Sequence, residues 1–411
     1  MRILNVSSLY PPNVVGGAEM GLKTISEAMV DLGHQLHVAT LQPPKGIGKP
    51  VGDPSGKVEV HGFPLANIYW PFDQNLRPSP ARVLWHSLDT ENRMMAANVA
   101  KLVQRLQPDV VLTRNLQGFS TAVIPAVARL GVPVIHVLHD FSLVCPRTTM
   151  FKNGKECGMR SERCNGCRLL TPRRWRHTEA LSGVIGVSRA VLDVHLDHGL
   201  FRNLPAKVIH NALRPEIKIA DRAEVRKDGP LKLGFLGRVE QPKGIETLLK
   251  ACHNLHRTGR AFELMVAGRG QEDYLRYLKA RFPEVPVTYE GFVESASFLK
   301  ALDVLVFPTE CQEALGNGVF EAFSQGTLVI GSDRGGIPES IDHGTNGIVF
   351  PAGDVDALTS RLHQIFDNLQ LRRALAQNAL VKSRQYLAPN RARSYVEFVE
   401  TVTDRATAAI A

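Results

Sequence analysis

The feature that most constrains the fold is a repeated alternation of short apolar runs with longer amphipathic segments. Short runs rich in β-branched residues are typical of buried strands, and most of the segments between them have helical periodicity. Such alternation predicts a parallel sheet that is covered by helices on both faces. The first series of predicted strands comprises residues 2–8, 35–40, 58–63, 110–113, 132–138, 183–187 and 207–210.

A second series of the same kind follows a polar stretch that contains two prolines. Its predicted strands comprise residues 231–236, 262–267, 285–289, 304–307, 328–330 and 348–350. A chain of 411 residues is too long for a single core. We therefore predict an α/β fold of two doubly wound, Rossmann-like domains, with a ligand cleft between the carboxyl edges of their sheets.

The predicted domain boundaries follow the breaks in this alternation. Residues 1–212 form the N-terminal domain, which includes a cysteine-rich insertion at 145–176. Residues 213–230 form the linker, and residues 231–388 form the C-terminal domain. Residues 389–411 form a final helix, for which a return to the N-terminal domain is one alternative.

Positive charge is concentrated in the first half of the chain. Residues 1–210 carry 24 basic and 15 acidic residues, which accounts for the whole net charge of +9. The insertion at 145–176 alone has nine basic and two acidic residues, which indicates an acidic partner surface or an acidic acceptor. We expect no nucleic acid partner.

The insertion also places an aromatic residue among cations, at Arg173, Arg174, Trp175 and Arg176. This combination suits an anionic membrane surface or a phosphate-bearing lipid carrier. The alternative is a basic surface loop that keeps the protein soluble. The chain begins without a charged and then apolar leader and has no apolar run of membrane-spanning length. We therefore expect a cytoplasmic protein, with peripheral association to the inner face of the membrane as a further hypothesis.

Cysteines of a cytoplasmic protein are expected to be thiols or metal ligands rather than disulfides. Four of the six cysteines lie within the insertion and include one Cys-x-x-Cys pair: Cys145, Cys157, Cys164 and Cys167. This spacing makes the four thiols a candidate structural zinc site. Reduced thiols in a loop are the alternative.

The stretch from Glu313 to Glu321 reads as a loop that leads from the strand at 304–307 into a helix. The helix is expected to begin near Leu315. Gly316 and Gly318 would each cost it roughly 1 kcal/mol relative to alanine, which is understandable if a ligand approaches the backbone there. An anion is the expected ligand, because a helix start presents unpaired N–H groups and a partial positive charge.

The two glutamates of this stretch are eight residues apart, so Glu321 lies about 80° around the helix from Glu313 and about two turns along it. Carboxylates accept hydrogen bonds from vicinal hydroxyls, so one glutamate suits a hexose and the other a ribose. The alternative is a capping residue at Glu313 and a solvated residue at Glu321.

Two further loops also suit an anionic ligand. Arg238 and Lys243 follow the first strand of the second series, where a guanidinium and an ammonium suit a diphosphate. Two solvated loop cations are the alternative. Gly16 and Gly17 lie at the start of the first helix, where their backbone could approach a ligand closely. The alternative is a plain turn.

Together these motifs resemble those of the retaining glycosyltransferases of family 4, which have the GT-B fold. The family's E-x7-E motif corresponds to Glu313–Glu321, its G-R-x4-K-G motif to residues 237–244, its G-G-x-P-E motif to residues 335–339, and its amino-terminal glycine pair to Gly16 and Gly17. The resemblance covers nearly the whole chain.

The resemblance implies a role for each matching residue. Arg238 and Lys243 would hold the donor diphosphate, Glu321 the ribose, and Glu313 the sugar hydroxyls. His139, after an apolar strand, would lie near the transferred sugar, although such a residue could also be packed in the core. Backbone N–H groups would hold the distal phosphate, and these belong to Leu315, Gly316 and Asn317.

We therefore expect a retaining transferase that moves a hexose from a nucleoside-diphosphate sugar to a saccharide or lipid-linked saccharide, in bacterial surface polysaccharide or glycolipid synthesis. A nucleotide-sugar epimerase or phosphorylase, and a non-catalytic nucleotide-sugar binding protein, are the alternatives. The donor nucleotide stays open.

Asp354 and Asp356 have the D-x-D form of metal-dependent transferases, but they open a helix, and a helix cap is the favoured interpretation. We therefore expect catalysis without a metal or another cofactor.

Overall fold

The structure is a computed structural model, and it describes residues 1–73, 77–152, 154–157, 165–221, 223, 225 and 227–408. The chain forms two compact units. The first unit comprises Met1–Thr148, Gly158–Arg214 and Ala388–Ala411, and the second comprises Thr149–Cys157 and Pro215–Leu387.

The strands, numbered along the chain, are β1 (Arg2–Val6), β2 (Gln35–Gln42), β3 (Glu59–Pro64), β4 (Val110–Thr113), β5 (Val134–Leu138), β6 (Phe151–Lys152), β7 (Lys155–Glu156), β8 (Gly183–Gly186), β9 (Ala206–Val208), β10 (Leu231–Leu236), β11 (Phe262–Ala267), β12 (Val287–Gly291), β13 (Val304–Phe307), β14 (Leu328–Ser332) and β15 (Ile348–Phe350).

The helices are α1 (Gly17–Asp31), α2 (Ser79–Thr90), α3 (Arg93–Leu106), α4 (Val123–Ala128), α5 (Asn165–Leu170), α6 (Pro172–Thr178), α7 (Arg189–Asp197), α8 (Ile245–Arg257), α9 (Glu272–Arg281), α10 (Ser295–Lys300), α11 (Asn317–Ser324), α12 (Ile337–Ser340), α13 (Val355–Asp367), α14 (Leu369–Ser383) and α15 (Ala388–Ala408). Short 3-10 turns lie at Gln241–Lys243 and Arg384–Tyr386. None of the described helices combines the length and the apolar composition that a membrane span requires.

Each unit is built on its own parallel sheet. The first unit has seven strands in the order β3-β2-β1-β4-β5-β8-β9, and the second has six in the order β12-β11-β10-β13-β14-β15. The predicted pair of parallel α/β sheets is therefore confirmed. The sequence located β4, β10, β11, β13 and β15 to the residue, and placed the ends of the other strands of the two sheets within two residues of those observed.

The second sheet shows why these strands read as continuous apolar runs. Val304 and Val306 of β13 pack into one hydrophobic cluster, whereas Leu305 packs into another on the opposite face of the sheet. Successive side chains of a strand point to opposite faces, so a strand covered on both faces needs an apolar residue at every position. β13 then ends before Pro308, and its carboxyl end leads into the loop that contains Glu313.

The C-terminal helix α15 belongs to the first unit, where it contacts α1. Its Phe398 and Val402 pack against Gly183 of β8, at a place where a Cβ atom would lie 3.0 Å from Val402. The contact division between the units falls at Arg214, inside the predicted linker. Residues 222, 224 and 226 of that linker lie outside the described residues.

Candidate functional site

Three loops of the second unit meet because they follow three neighbouring strands. β10, β13 and β14 are adjacent in the sheet, and their carboxyl ends lead into residues 237–244, 308–316 and 333–336. Loops at the carboxyl edge of a parallel sheet are the usual place for a ligand in folds of this kind. We call these three segments the donor loops.

An ion pair joins two of the donor loops. The 3-10 turn Gln241–Lys243 positions the Lys243 ammonium, which donates to Oε2 of Glu313. Each of these side chains is 20% exposed. Burial lowers the pKa of Lys243, but the charge of Glu313 and the hydrogen bond to it outweigh burial and raise the pKa above its ordinary value. The two residues that the sequence assigned to a diphosphate and to sugar hydroxyls therefore lie in direct contact.

Glycines allow the donor loops to pack this closely. At Gly244, where φ is +72°, a Cβ atom would lie 1.8 Å from the carbonyl oxygen of Pro308. At Gly335, where φ is +56°, it would lie 2.0 Å from the carbonyl oxygen of Glu313. That same carbonyl accepts a hydrogen bond of 2.8 Å from the N–H of Gly336. The pair of glycines at 335 and 336 therefore holds the backbone of Glu313 in place.

Helix α11 begins at Asn317, two residues later than expected, so Gly316 lies at the N-cap rather than in the first turn. Gly316 adopts the left-handed conformation with φ of +81°, which favours glycine. Gly316 has no side chain with which to cap this helix start. Its N–H groups and the helix dipole thus present a partial positive charge beside the ion pair. Leu315 itself is buried, and whether its N–H binds a phosphate stays a prediction.

Two further residues that the sequence assigned to the donor, Glu321 and Arg238, belong to the same unit as the ion pair. Glu321 is half-buried on α11 between Phe320 and Ala322, which are both buried, so the solvated alternative for Glu321 is disfavoured. Arg238 is exposed, and its guanidinium contacts Glu240 at 3.1 Å. An exposed pair of this kind is weak, so Arg238 can exchange Glu240 for an anion at little cost.

The sequence did not indicate the hairpin β6–β7, which comes from the insertion but belongs to the second unit. Glu156 of this hairpin accepts a hydrogen bond from Gln312 and lies 3.7 Å from the guanidinium of Arg334. Gln312 precedes Glu313 and Arg334 precedes Gly335, so the hairpin contacts two donor loops next to the ion pair. An isolated two-residue strand has no periodicity from which a prediction could be made.

In the first unit, Gly16 and Gly17 lie at the start of α1 and are exposed. The Gly16 N–H donates to Oε2 of Glu19 at 2.9 Å, so Glu19 caps the first turn of α1. A Cβ atom at Gly16 would meet no atom within 4 Å, so packing within the chain does not require glycine there. The space above the backbone suits the approach of a ligand.

His139 follows β5 in the first unit and is half-buried. Nη1 of Arg114 donates to Nε2 of His139 at 2.6 Å. Because a guanidinium can only donate, the hydrogen of the neutral imidazole lies on Nδ1. Burial and the charge of Arg114 place the pKa of His139 well below its ordinary value. His139 is thus a neutral hydrogen-bond donor at physiological pH.

Arg114 was not predicted from the sequence, and it is 3% exposed. It also donates to Oδ1 of Asn5 at 3.2 Å and lies 5.4 Å from the ring centroid of Tyr395 in α15. The sequence signal that could have identified Arg114 is its position directly after β4, which places it at the same edge of the sheet as His139.

A small cavity of about 60 Å³ lies in the first unit. Asp89 and Arg174 line it together with polar residues such as Asn115, Gln117 and Ser142. The carboxylate of Asp89 accepts from the Gly118 N–H at 2.7 Å. Burial raises the pKa of Asp89 to about 7, although the charge of Arg174 and that hydrogen bond oppose the shift.

The prediction that Arg174 is a surface cation is therefore wrong. Arg174 is 8% exposed, and Nη1 donates to the carbonyl oxygen of Ser142 at 2.8 Å. Arg174 lies on the buried face of α6, whereas Arg173 and Arg176 lie on the exposed face of the same helix.

The remaining predicted sites are described in part. Cys145 and Cys167 are buried and Cys157 is half-buried, whereas Cys164 lies outside the described residues, so the zinc site stays a prediction. The capping interpretation of Asp354 is confirmed, because its Oδ1 accepts from the Ala357 N–H at 2.8 Å at the start of α13. Asp356 lies in the first turn of that helix.

Comparisons with known proteins identify the family of the chain. Residues 15–216 match the family model described as Glycosyltransferase Family 4, and residues 230–368 match that described as Glycosyl transferases group 1. An uncharacterised 42.6 kDa protein in the cps region of Klebsiella pneumoniae is 27% identical over 82% of this chain and 87% of its own length.

Two further matches, one in sequence and one in fold, extend over nearly the whole chain. An uncharacterised glycosyltransferase of Methanocaldococcus jannaschii is 25% identical over 92% of each chain. The crystal structure of Anabaena HepE in complex with UDP has a TM-score of 0.69 at 18% identity, and the match covers 98% of this chain and all of that one. The chain therefore belongs to glycosyltransferase family 4, and it is a glycosyltransferase with the GT-B fold.

Proposed function

We propose that this protein transfers a hexose from a nucleoside-diphosphate sugar to a saccharide or lipid-linked saccharide, with retention of configuration. The observation that carries the proposal is the ion pair of Lys243 and Glu313 between the donor loops, beside the start of α11. The structures of HepE with UDP, and with UDP and glucose, support a nucleotide-sugar donor. The Klebsiella relative from the cps region supports a role in bacterial surface polysaccharide or glycolipid synthesis.

The ion pair explains how the site could exchange an internal contact for the donor. A diphosphate supplies the negative charge that Lys243 needs, so Glu313 is released without leaving a buried ammonium unpaired. Glu313 then accepts hydrogen bonds from the sugar hydroxyls. Arg238 and the N–H groups at the start of α11 add positive charge where the leaving diphosphate becomes more negative.

Retention follows if the acceptor attacks the face from which the diphosphate departs, with the departing phosphate as the base. This requires a stabilised leaving group rather than a protein nucleophile. A neutral His139 suits such a mechanism, because its Nδ1–H can donate to a sugar hydroxyl without adding a charge.

The charge on the diphosphate is met in this proposal by side chains and backbone rather than by a metal. Asp354 is occupied as a helix cap, and Lys243 and Arg238 supply the cations of the donor loops. We therefore propose metal-independent transfer, in which no cofactor is needed for catalysis.

The acceptor side of the proposal rests on the first unit. α2 contacts α5, and these two helices carry exposed apolar side chains at Val83, Leu84 and Leu169, the last of them 78% exposed. Exposed arginines accompany them at Arg82, Arg168, Arg173 and Arg176. Apolar residues among cations suit an anionic bilayer. We propose that this surface binds the inner face of the membrane, where it meets a lipid-linked acceptor.

The first prediction concerns the ion pair. Lys243→Met and Glu313→Gln should each lower the transfer rate by about 100-fold or more, because each removes charge that acts on the reacting donor. The matched control is Glu310→Gln, on the same loop, whose carboxylate accepts from the Thr247 hydroxyl. Its rate should stay within about threefold of the wild type.

Nucleotide release, measured with and without acceptor, tests this prediction and the class of enzyme. Release that requires inorganic phosphate would favour a phosphorylase, and release in water alone would favour a hydrolase. No release would favour an epimerase or a binding protein. The NMR coupling constant of the product's anomeric proton should show that the product has the same anomeric configuration as the donor. An unchanged rate in both variants, with the fold intact by circular dichroism, would contradict the proposal.

The second prediction concerns metal. Initial rates of transfer in the presence of EDTA should equal those with added Mg²⁺ or Mn²⁺, because the cations of the site are side chains. A rate that depends on the added divalent ion in proportion to its concentration would show that the diphosphate is bound through a metal.

The third prediction concerns the membrane surface. Each basic residue near an anionic bilayer contributes about 1 kcal/mol, so the double variant Arg173→Ser, Arg176→Ser should bind anionic vesicles about 30-fold more weakly. Arg174 is left unchanged because it is buried. The control with the same charge loss is Lys250→Ser, Lys300→Ser, on exposed residues of the second unit. Equal vesicle binding by the wild type and both double variants would remove the case for this surface.

A further inference from the structure

Two histidines and a glutamate meet at the edge of the first sheet. β3 is the edge strand and pairs with β2 in parallel register, in which His37 lies opposite Glu59 and Ala39 opposite His61. Glu59 and His61 are two residues apart and therefore share a face of the sheet. His37 lies beside them on the neighbouring strand. The donor set is two imidazoles and one carboxylate.

The ligand atoms of these three side chains all lie within 4.8 Å of one another. Nδ1 of His37 is 3.2 Å from Oε2 of Glu59 and 3.3 Å from Nε2 of His61. Nε2 of His61 is 3.5 Å from Oε1 of Glu59. One nitrogen of each ring and the carboxylate thus lie close enough together to reach one ion.

These distances are compatible with a bound metal ion as well as with direct hydrogen bonds. N–H···O hydrogen bonds are about 2.7–3.2 Å long, so the spacing of 3.2 Å is within this range and that of 3.5 Å is beyond it. Two ligands of a tetrahedral Zn²⁺ ion with bonds of 2.0–2.1 Å are about 3.3–3.4 Å apart. The spacing of 3.3 Å between the two nitrogens matches this value, and the two nitrogen–oxygen spacings of 3.2 and 3.5 Å, each to a different oxygen of Glu59, lie near it.

The burial of the cluster also suits a bound ion. The side chains of His37 and His61 are 10% and 13% exposed, whereas that of Glu59 is 63% exposed. The two imidazoles are therefore held by the packing of the sheet, and the carboxylate side opens to solvent. An ion could enter there, and water could complete its coordination.

We propose that His37, Glu59 and His61 bind a divalent transition metal ion, with Zn²⁺ the best fit. The imidazole-rich donor set excludes Mg²⁺ and Ca²⁺, which prefer oxygen ligands. The charges of Arg2 and Arg105 act on His37 and His61 and oppose a dication. We therefore expect a preference for the metals that bind nitrogen most strongly.

The role of this ion is structural. His37 and Glu59 lie near the amino ends of β2 and β3, whereas the carboxyl edge of the sheet is where folds of this kind bind ligands. A metal that joins the edge strand to its neighbour would hold β3 in the sheet. The site is independent of the proposed transfer chemistry.

Co²⁺ titration of the full-length protein tests the proposal and separates this site from the four cysteines. Co²⁺ bound by thiolates absorbs strongly in the near ultraviolet, whereas a site of nitrogen and oxygen ligands gives only weak visible bands. The wild type should bind one more equivalent than His61→Gln or Glu59→Gln, and the lost signal should be the weak visible bands. His253→Gln, which removes the histidine of a surface His–Glu pair 3.8 Å apart, is the control and should lose none.

Thermal unfolding gives a second readout. Zn²⁺ at about 100 times its dissociation constant should raise the melting temperature of the wild type by about 5–10 °C, and by much less in Glu59→Gln. Glu59 is exposed, so Glu59→Gln should fold even if a histidine variant does not. The proposal is overturned if the wild type and Glu59→Gln bind the same number of Co²⁺ ions and show the same shift with Zn²⁺.

Discussion

The ion pair between Lys243 and Glu313 is the interaction on which the donor loops depend. Taking two charges out of water is costly, and each charge is tolerated there because the other offsets it. The contact also requires that residues 237–244, 308–316 and 333–336 pack with almost no space between their backbones. Gly244 and Gly335 make this possible, since a Cβ atom at either would overlap a backbone oxygen. The charge pair and the glycines thus form one arrangement.

In the first unit, the buried Arg114 orients the neutral imidazole of His139 through a comparable set of contacts. Arg114 fixes the tautomer of His139 and in turn contacts Asn5 and the ring of Tyr395. Tyr395 belongs to α15, so the end of the chain supports a residue at the carboxyl edge of the first sheet. A helix that packs on α1 and β8 therefore also contributes to the orientation of His139.

Much of the fold could be predicted because buried parallel strands are apolar at nearly every position, as in β13. The residues of the candidate site could be predicted because loops after such strands share one edge. Contacts between residues distant in sequence could not be predicted. Arg174 belongs to a basic run but is buried, Glu156 contacts the donor loops from an insertion, and His61 meets His37 only through strand pairing.

The central claim is that Lys243 binds the donor diphosphate and that Glu313 acts on the sugar. Calorimetric titration with a nucleoside diphosphate, UDP first, tests it most directly, because this ligand has no sugar. Glu313→Gln should bind UDP at least as tightly as the wild type, since Lys243 no longer has an internal partner, whereas Lys243→Met should bind it at least tenfold more weakly. Equal weakening of UDP binding in both variants, with both folded, would contradict the account.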